Sequence, residues 1–263
     1  MTDIKEQIQN KLYATEEQYN VKIPLAVESG SRGWGFASAD SDYDCRFIYV
    51  HKKDWYLTVL DKMDFIEYPA DSVFDINGWD IRKFIKHIIK SNAVMLEWLS
   101  SNEVYVKNER VTGLLQNLAA SFFNPIAVSH HYLSIAKNKL AQILSEDTSK
   151  LKRYFYVLRP IANLNYIHQH GVMPYMEYDK TLAETAIPPE ILSEIKELTA
   201  IKASSDETLK IERNEKLIAY FTQEINSFTV RLNGMKFEKN RAYFRADAVF
   251  REIIERVWEN ECN

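Results

Sequence analysis

The sequence predicts an α+β protein, a small strand-bearing head followed by a helical C-terminal domain, and three observations predict it. Short runs of strand-forming residues cluster near the N-terminus, and the apolar period turns helical from Asp80 onward. Hydrophobic residues make up 46% and aromatic residues 13% of the 263 positions, enough to bury one large core or two modest ones.

Taken in order, Ile4 to Gln18 combines dense charge with spaced apolar positions, Ile8 and Leu12 among them, and predicts an amphipathic helix. Ile23-Pro24-Leu25-Ala26-Val27-Glu28-Ser29 predicts a short buried strand and Asp44-Cys45-Arg46-Phe47-Ile48-Tyr49-Val50 a second. Val73-Phe74-Asp75-Ile76 predicts a third, shorter one. Ile81, Phe84, Ile85, Ile88 and Ile89 then form a helical stripe, with Asp80 where an N-cap belongs. Helix-period apolar residues continue over 111–120, 126–144, 151–170, 190–202, 210–230 and 243–258, punctuated by Asn124-Pro125, Gly171 and Pro188-Pro189. The reading divides the chain into a head, 1–108, and a helical domain, 109–263. With no repeat, low-complexity tract or glycine-serine linker between them, the two are expected to pack together.

Several function classes fall away. The two cysteines, Cys45 and Cys262, can build neither a disulfide framework nor a thiolate metal site. The charged N-terminus is no signal peptide and no apolar run spans a bilayer, so a cytoplasmic protein without membrane contact is expected. A net charge of -4 and a pI near 5.9 argue against a strongly basic nucleic-acid coat protein, leaving any nucleic-acid contact local.

Chemistry concentrates between Val27 and Asp44. Gly30, Gly33 and Gly35 lie here, three of the chain's seven glycines, and glycine lets a backbone turn sharply and approach a ligand closely. Ser31 offers a hydroxyl and a backbone N–H at the expected start of a short helix, which suits a phosphate. The spacing is not that of a dinucleotide-binding loop, and the Gly-Lys-Ser/Thr of a Walker A loop is missing. Asp42 and Asp44, two apart on an expected strand, project from one face and repel unless a cation joins them. Hard oxygen ligands beside phosphate suit Mg²⁺ or Mn²⁺, as a pair of ions. A third carboxylate is needed for the second ion and for the proton of the attacking hydroxyl. Asp75, between apolar flanks, is preferred to Asp80, whose place before Ile81-Arg82-Lys83 suits a cap.

Gly30-Ser31 followed by Ser41-Asp42-Tyr43-Asp44 resembles the signature of the DNA polymerase beta-type nucleotidyltransferase superfamily. The wider run from Gly30 to Val50 adds to this, with Asp75-Ile76-Asn77-Gly78-Trp79-Asp80-Ile81-Arg82-Lys83-Phe84, Leu96-Glu97-Trp98-Leu99 and Tyr154-Phe155-Tyr156-Val157-Leu158-Arg159-Pro160. Together these blocks resemble the RlaP-like group of predicted nucleotidyltransferases. The resemblance implies a mixed sheet flanked by helices, with Gly30 and Ser31 on the nucleotide phosphates. Asp42 and Asp44 would sit on metal, and Asp75 would be the third carboxylate. It also implies transfer of a nucleoside monophosphate from a nucleoside triphosphate such as ATP to an acceptor hydroxyl. RNA is the acceptor that the group's link to RNA repair suggests.

Second-rank candidates follow from position. Arg46 shares the face of Asp42 and Asp44 if the alternation holds, where nucleotide contact and ion pairing stand equal. Arg32 follows the phosphate-binding pair and can reach a phosphate. Lys152, Tyr156 and Arg159 share one helical face, where a base could stack on Tyr156 between two cations; the alternative is a solvated face with Tyr156 packed inward. Lys137 is a weaker candidate of the same type. His130-His131 and His168-Gln169-His170 lack zinc-site spacing and read as structural or surface residues. Trp79 and Trp98 read as core aromatics. Two rivals stand beside the enzyme: a nucleotide- or RNA-binding regulator without catalysis, and a toxin-antitoxin type nucleotidyltransferase that modifies a protein hydroxyl.

Overall fold

The N-terminal amphipathic pattern becomes α1 (Ile4–Tyr19), which buries Ile8, Leu12 and Thr15 and stops at Asn20 in the left-handed conformation, φ 49°, a region that asparagine tolerates. The structure, a computed structural model, describes residues 3–38, 40–70, 73–238, 240 and 242–259. From Asn20 the chain enters β1 (Val21–Ser29), makes a single helical turn, α2 (Gly30–Gly33), and returns as β2 (Tyr43–His51). There follow α3 (Lys53–Tyr56), β3 (Phe65–Glu67), β4 (Phe74–Asp80), α4 (Ile81–Ile88), α5 (Ala93–Ser100), β5 (Val104–Lys107) and α6 (Glu109–Phe122).

The five strands form one sheet in the order β3-β4-β2-β1-β5. Only β2 and β4 run parallel, so the sheet is mixed. Strand alternation assigns its faces. Cys45, Phe47 and Tyr49 join Ile8, Leu12, Val21, Ile23 and Ile76 in one apolar cluster beneath α1, which leaves Asp44 and Arg46 on the opposite face. Gly78 lies in register with Phe47, and a Cβ there would come within 2.2 Å of the phenylalanine ring. The core under the acidic strand therefore closes only around a glycine. Asp80 caps α4, accepting from the Arg82 N–H at 2.8 Å, and Asn92, Asn108 and Asn124 cap the next three long helices with their side chains. Each such cap contributes about 1 kcal/mol.

The rest is α7 (Pro125–Leu144), β6 (Thr148–Lys150), α8 (Leu151–His170), α9 (Tyr178–Ala183), α10 (Pro189–Ala203), β7 (Lys210–Glu212), α11 (Glu215–Leu232) and α12 (Tyr243–Trp258). The expected helix over 210–230 begins as a strand instead. Lys210–Glu212 pairs antiparallel with β6, and the helix starts only after Asn214, whose side chain accepts from the Leu217 N–H.

Contacts divide the chain into two compact units, and not at residue 108. One comprises Met1–Gly33, Asp42–Phe123 and Lys239–Asn263; the other comprises Trp34–Ser41 and Asn124–Glu238. The physical reason lies in particular apolar faces. α6 buries Val111, Leu115 and Leu118, and α12 buries Ala246, Ile253 and Ile254 while Trp258 Nε1 donates to the His51 carbonyl at the end of β2. Both helices therefore belong with the sheet. In the helical unit, Trp34 and Phe36 pack against Tyr156 and Phe155, and Lys202 donates to Ser38 Oγ at 2.8 Å. No helix among the described residues is long and apolar enough to cross a membrane. Cys45 is buried with a free thiol, and Cys262 lies outside the described residues.

Candidate active site

Asp42 is exposed and precedes the first residue of β2, so of the two expected strand carboxylates only Asp44 lies on the strand. Arg32 fixes the approach: its Nε donates to the Asp42 carbonyl at 3.0 Å, and its guanidinium lies 3.9 Å from the centre of the Tyr43 ring. The parallel pairing of β2 with β4 then sets Asp44 directly beside Asp75. Arg46, on the same face two residues on, bridges the pair. Its Nη2 donates to Asp44 Oδ1 at 2.8 Å and to Asp75 Oδ2 at 2.6 Å, and its Nη1 donates to the Asp75 carbonyl at 2.7 Å. Ion pairing, one of the two roles open to Arg46 in the sequence, is present in the fold. Asp80, the runner-up for third carboxylate, is fully buried, capping α4 and accepting from the Tyr56 hydroxyl at 2.7 Å.

Burial and crowding make the acids here weaker, raising their pKa values. Asp44 is pushed up to about 6, chiefly by burial; Arg46 opposes the shift, and Asp42 and Asp75 add to it. Behind it stands a residue the sequence reading passed over. Glu28 on β1 is only 2% exposed, accepts from the Asp44 backbone N–H at 2.9 Å and accepts a short hydrogen bond from the Tyr105 hydroxyl. It thereby fixes the backbone from which Asp44 projects. Its signal was an acidic residue closing a buried apolar run, Leu25-Ala26-Val27, a weaker form of the signal that singled out Asp75.

Burial, the largest cause, raises Glu28 from 4.5 to about 7; neighbouring Asp44 adds to the shift, and the hydrogen bonds from Tyr105 and the Asp44 backbone oppose it. The folded protein thus holds a proton that the unfolded chain releases between those values. The associated stability is complete below the ordinary value and is lost as pH rises through about 7. Glu28→Gln keeps an acceptor for Asp44 and removes the charge. It is expected to be more stable than the wild type by on the order of 2 kcal/mol near pH 8, the difference closing near pH 4. Urea unfolding at both pH values measures this, and a difference independent of pH would refute the assignment.

Gly30 adopts φ +61°, and a Cβ on it would lie 1.9 Å from Asp44 Oδ2. Glycine therefore opens a space against that carboxylate oxygen that any other residue would fill. Ser31 beside it is buried. With only four residues, α2 offers backbone N–H groups but little accumulated helix dipole. The donor chemistry of Asp44, whose Oδ2 faces the space beside Gly30, suits a hard cation such as Mg²⁺ or Mn²⁺. Among the described residues no group of three or more His, Cys, Asp or Glu side chains is gathered to hold a metal, since Asp42 stands off the strand and Arg46 spans the other two.

The helical unit holds the remaining candidates, and Lys152, Tyr156 and Arg159 are each engaged within it. Lys152 pairs with Glu207 at 2.7 Å. Tyr156 meets Trp34 edge-on, ring centres 5.5 Å apart, with Lys139 over its face. Arg159 is buried, its guanidinium 4.4 Å from the Trp34 ring centre. Lys137, His130, His168 and His170 are exposed. Trp98 is buried in the core as expected, whereas Trp79 is half-buried beside it.

A family model described as "RNA repair pathway DNA polymerase beta family" matches residues 4–252. The chain is 38% identical over 258 residues to the "Uncharacterized protein YcgL" of Bacillus subtilis (strain 168), covering 98% of this chain and 99% of that one. It also aligns with the crystal structure of a nucleotidyltransferase-like protein from Exiguobacterium sibiricum 255-15, at 10% identity over 97% of this chain and 91% of that chain, with a TM-score of 0.30.

Proposed function

This chain belongs to the RNA repair pathway DNA polymerase beta family, and we propose that it transfers a nucleoside monophosphate from a nucleoside triphosphate to an acceptor hydroxyl, on RNA, with Mg²⁺ or Mn²⁺. The observation that carries the reading is the Asp44–Asp75 pair, set in register across parallel strands beside the space that Gly30 leaves open.

In the proposed reaction the acceptor oxygen forms a bond to the α-phosphorus. The bond from that phosphorus to the α,β-bridging oxygen breaks, pyrophosphate leaves, and the hydroxyl proton passes to a carboxylate, Asp75 in this reading. Asp42 and Asp44 would hold the metal, which when bound neutralises charge on the phosphates and polarises the P–O bonds. Gly30 and Ser31 orient the triphosphate through their backbone, and Arg32 keeps the turn before Tyr43 in place. Catalysis by such a site is positioning and charge stabilisation, with little covalent work for the protein.

The test is incubation of the purified chain with each α-labelled nucleoside triphosphate, Mg²⁺ or Mn²⁺ and a pool of small RNAs, beside an Asp42→Ala, Asp44→Ala control. Label carried into RNA by the wild type alone is the expected result. Label in protein would replace the acceptor, and metal-dependent nucleotide binding without transfer would replace the enzyme with a binding module.

A further inference from the structure

We infer that this site takes one divalent cation and not two, the Arg46 guanidinium standing where a second cation would neutralise Asp44 and Asp75. The inference rests on the nucleotidyl-transfer reading and concerns how the charge in that site is balanced. Two ionised carboxylates side by side repel unless a cation lies between them, and the fold supplies one covalently.

Arg46 is held by more than the two carboxylates. Besides Asp44 Oδ1 at 2.8 Å and Asp75 Oδ2 at 2.6 Å, its Nη1 donates to the backbone carbonyls of Asp75 at 2.7 Å and Cys45 at 3.2 Å. Carbonyls in paired strands do not swing aside, so the guanidinium is fixed to the sheet itself. Its side chain is 15% exposed. An ion entering between the two carboxylates has to break both carboxylate hydrogen bonds, while the backbone carbonyls hold the guanidinium in place beside it, a partly buried cation stripped of its anions.

The oxygens divide accordingly. Asp75 spends Oδ2 on Arg46, and its Oδ1 accepts from Asn77 Nδ2 at 3.4 Å. Asp44 spends Oδ1 on Arg46 and turns Oδ2 to the space beside Gly30. Asp44 Oδ2 remains on that side, and with the exposed Asp42 two residues earlier it would supply the carboxylates for one ion, completed by substrate phosphate. The same division explains why no three-carboxylate group is gathered among the described residues. Asp75 then serves as the counter-anion of Arg46, and its carboxylate meets the acceptor proton without holding an ion.

The experiment counts bound Mn²⁺ by the electron paramagnetic resonance of the free ion. The full chain is kept in excess over an α,β-methylene nucleoside triphosphate, which binds but cannot transfer. The wild type and Arg46→Lys are expected to bind one Mn²⁺ per nucleotide complex, and Arg46→Ala, checked for its fold by circular dichroism, two. Two Mn²⁺ in the wild type overturn the inference outright whether or not the alanine variant folds, while the transfer assay would still uphold the nucleotidyl-transfer reading. One Mn²⁺ in a folded Arg46→Ala also overturns it, since Arg46 would not be what keeps the second ion out. A wild type that binds neither the nucleotide nor Mn²⁺ removes the transfer reading and the inference together.

Discussion

Asp44→Asn is expected to lose nucleotidyl transfer by about 10³-fold or more while folding at least as stably as the wild type. The two halves of that result share one cause. Asp44 is raised from 3.8 to about 6, first by burial and then by the neighbouring acids Asp42 and Asp75, against the pull of Arg46. The ionised side chain is therefore a liability to the fold, and the stability tied to its proton is complete below the ordinary value and is lost as pH rises through about 6. Asparagine keeps the shape and an acceptor for Arg46, which retains Asp75. The stability gained near pH 8 is on the order of 1 kcal/mol, less than the bare shift suggests because Arg46 loses a charged partner. Denaturant unfolding near pH 5 and pH 8, beside the transfer assay, reads both halves. A residue kept for folding loses stability when neutralised, so a destabilised Asp44→Asn with transfer intact would return the acidic pair to a structural role.

The candidate site was legible where its chemistry is local in sequence. Gly30, Ser31, Asp42 and Asp44 fall within one short segment, and residue type and spacing alone single them out. Asp75 was legible because an acidic residue between Phe74 and Ile76 has no cheap reason to be there. Glu28 carries a weaker form of that signature, after Leu25-Ala26-Val27 but before the polar Ser29, and its purpose, holding the Asp44 backbone N–H and the Tyr105 hydroxyl, depends on strands that meet only in the fold. Arg46 was placed on the right face by alternation. Only the β2–β4 register, a long-range pairing, turns it from a neighbour of Asp44 into a bridge to Asp75.

The fold divides the same way. Periodicity gave α1, α4, α7, α8, α10 and α12 nearly to the residue, because long amphipathic helices write their pattern into the chain. It missed the short strands β3 and β5 at the two sheet edges and the β6–β7 pair, which are too short to show a period. It also treated the units as consecutive. Trp34–Ser41 joins the helical unit and α12 joins the sheet, and such returns follow from which apolar face finds a partner, which no local window contains.

Gly30→Ala is expected to cost transfer about 10²- to 10³-fold, because displacing a positioned group by an ångström costs about that much. The methyl group meets two obstacles of different kinds. At φ +61° an alanine carries a strain of roughly 1–2 kcal/mol. Its Cβ also falls 1.9 Å from Asp44 Oδ2 and 2.8 Å from Cγ of the same residue, so Asp44 must turn away or the loop must move. Backbone strain alone would be felt in stability and not in turnover. Gly35→Ala separates the two, since Gly35 has φ +85° with nothing within 4 Å of the added Cβ. That variant should share the loss of stability and keep transfer within a few-fold of wild type. Equal losses of transfer in the two variants would mean that the conformation of the loop, and not the place of Asp44, is what Gly30 protects. A large loss confined to Gly30→Ala would identify the space beside Asp44 Oδ2 as part of the reacting site.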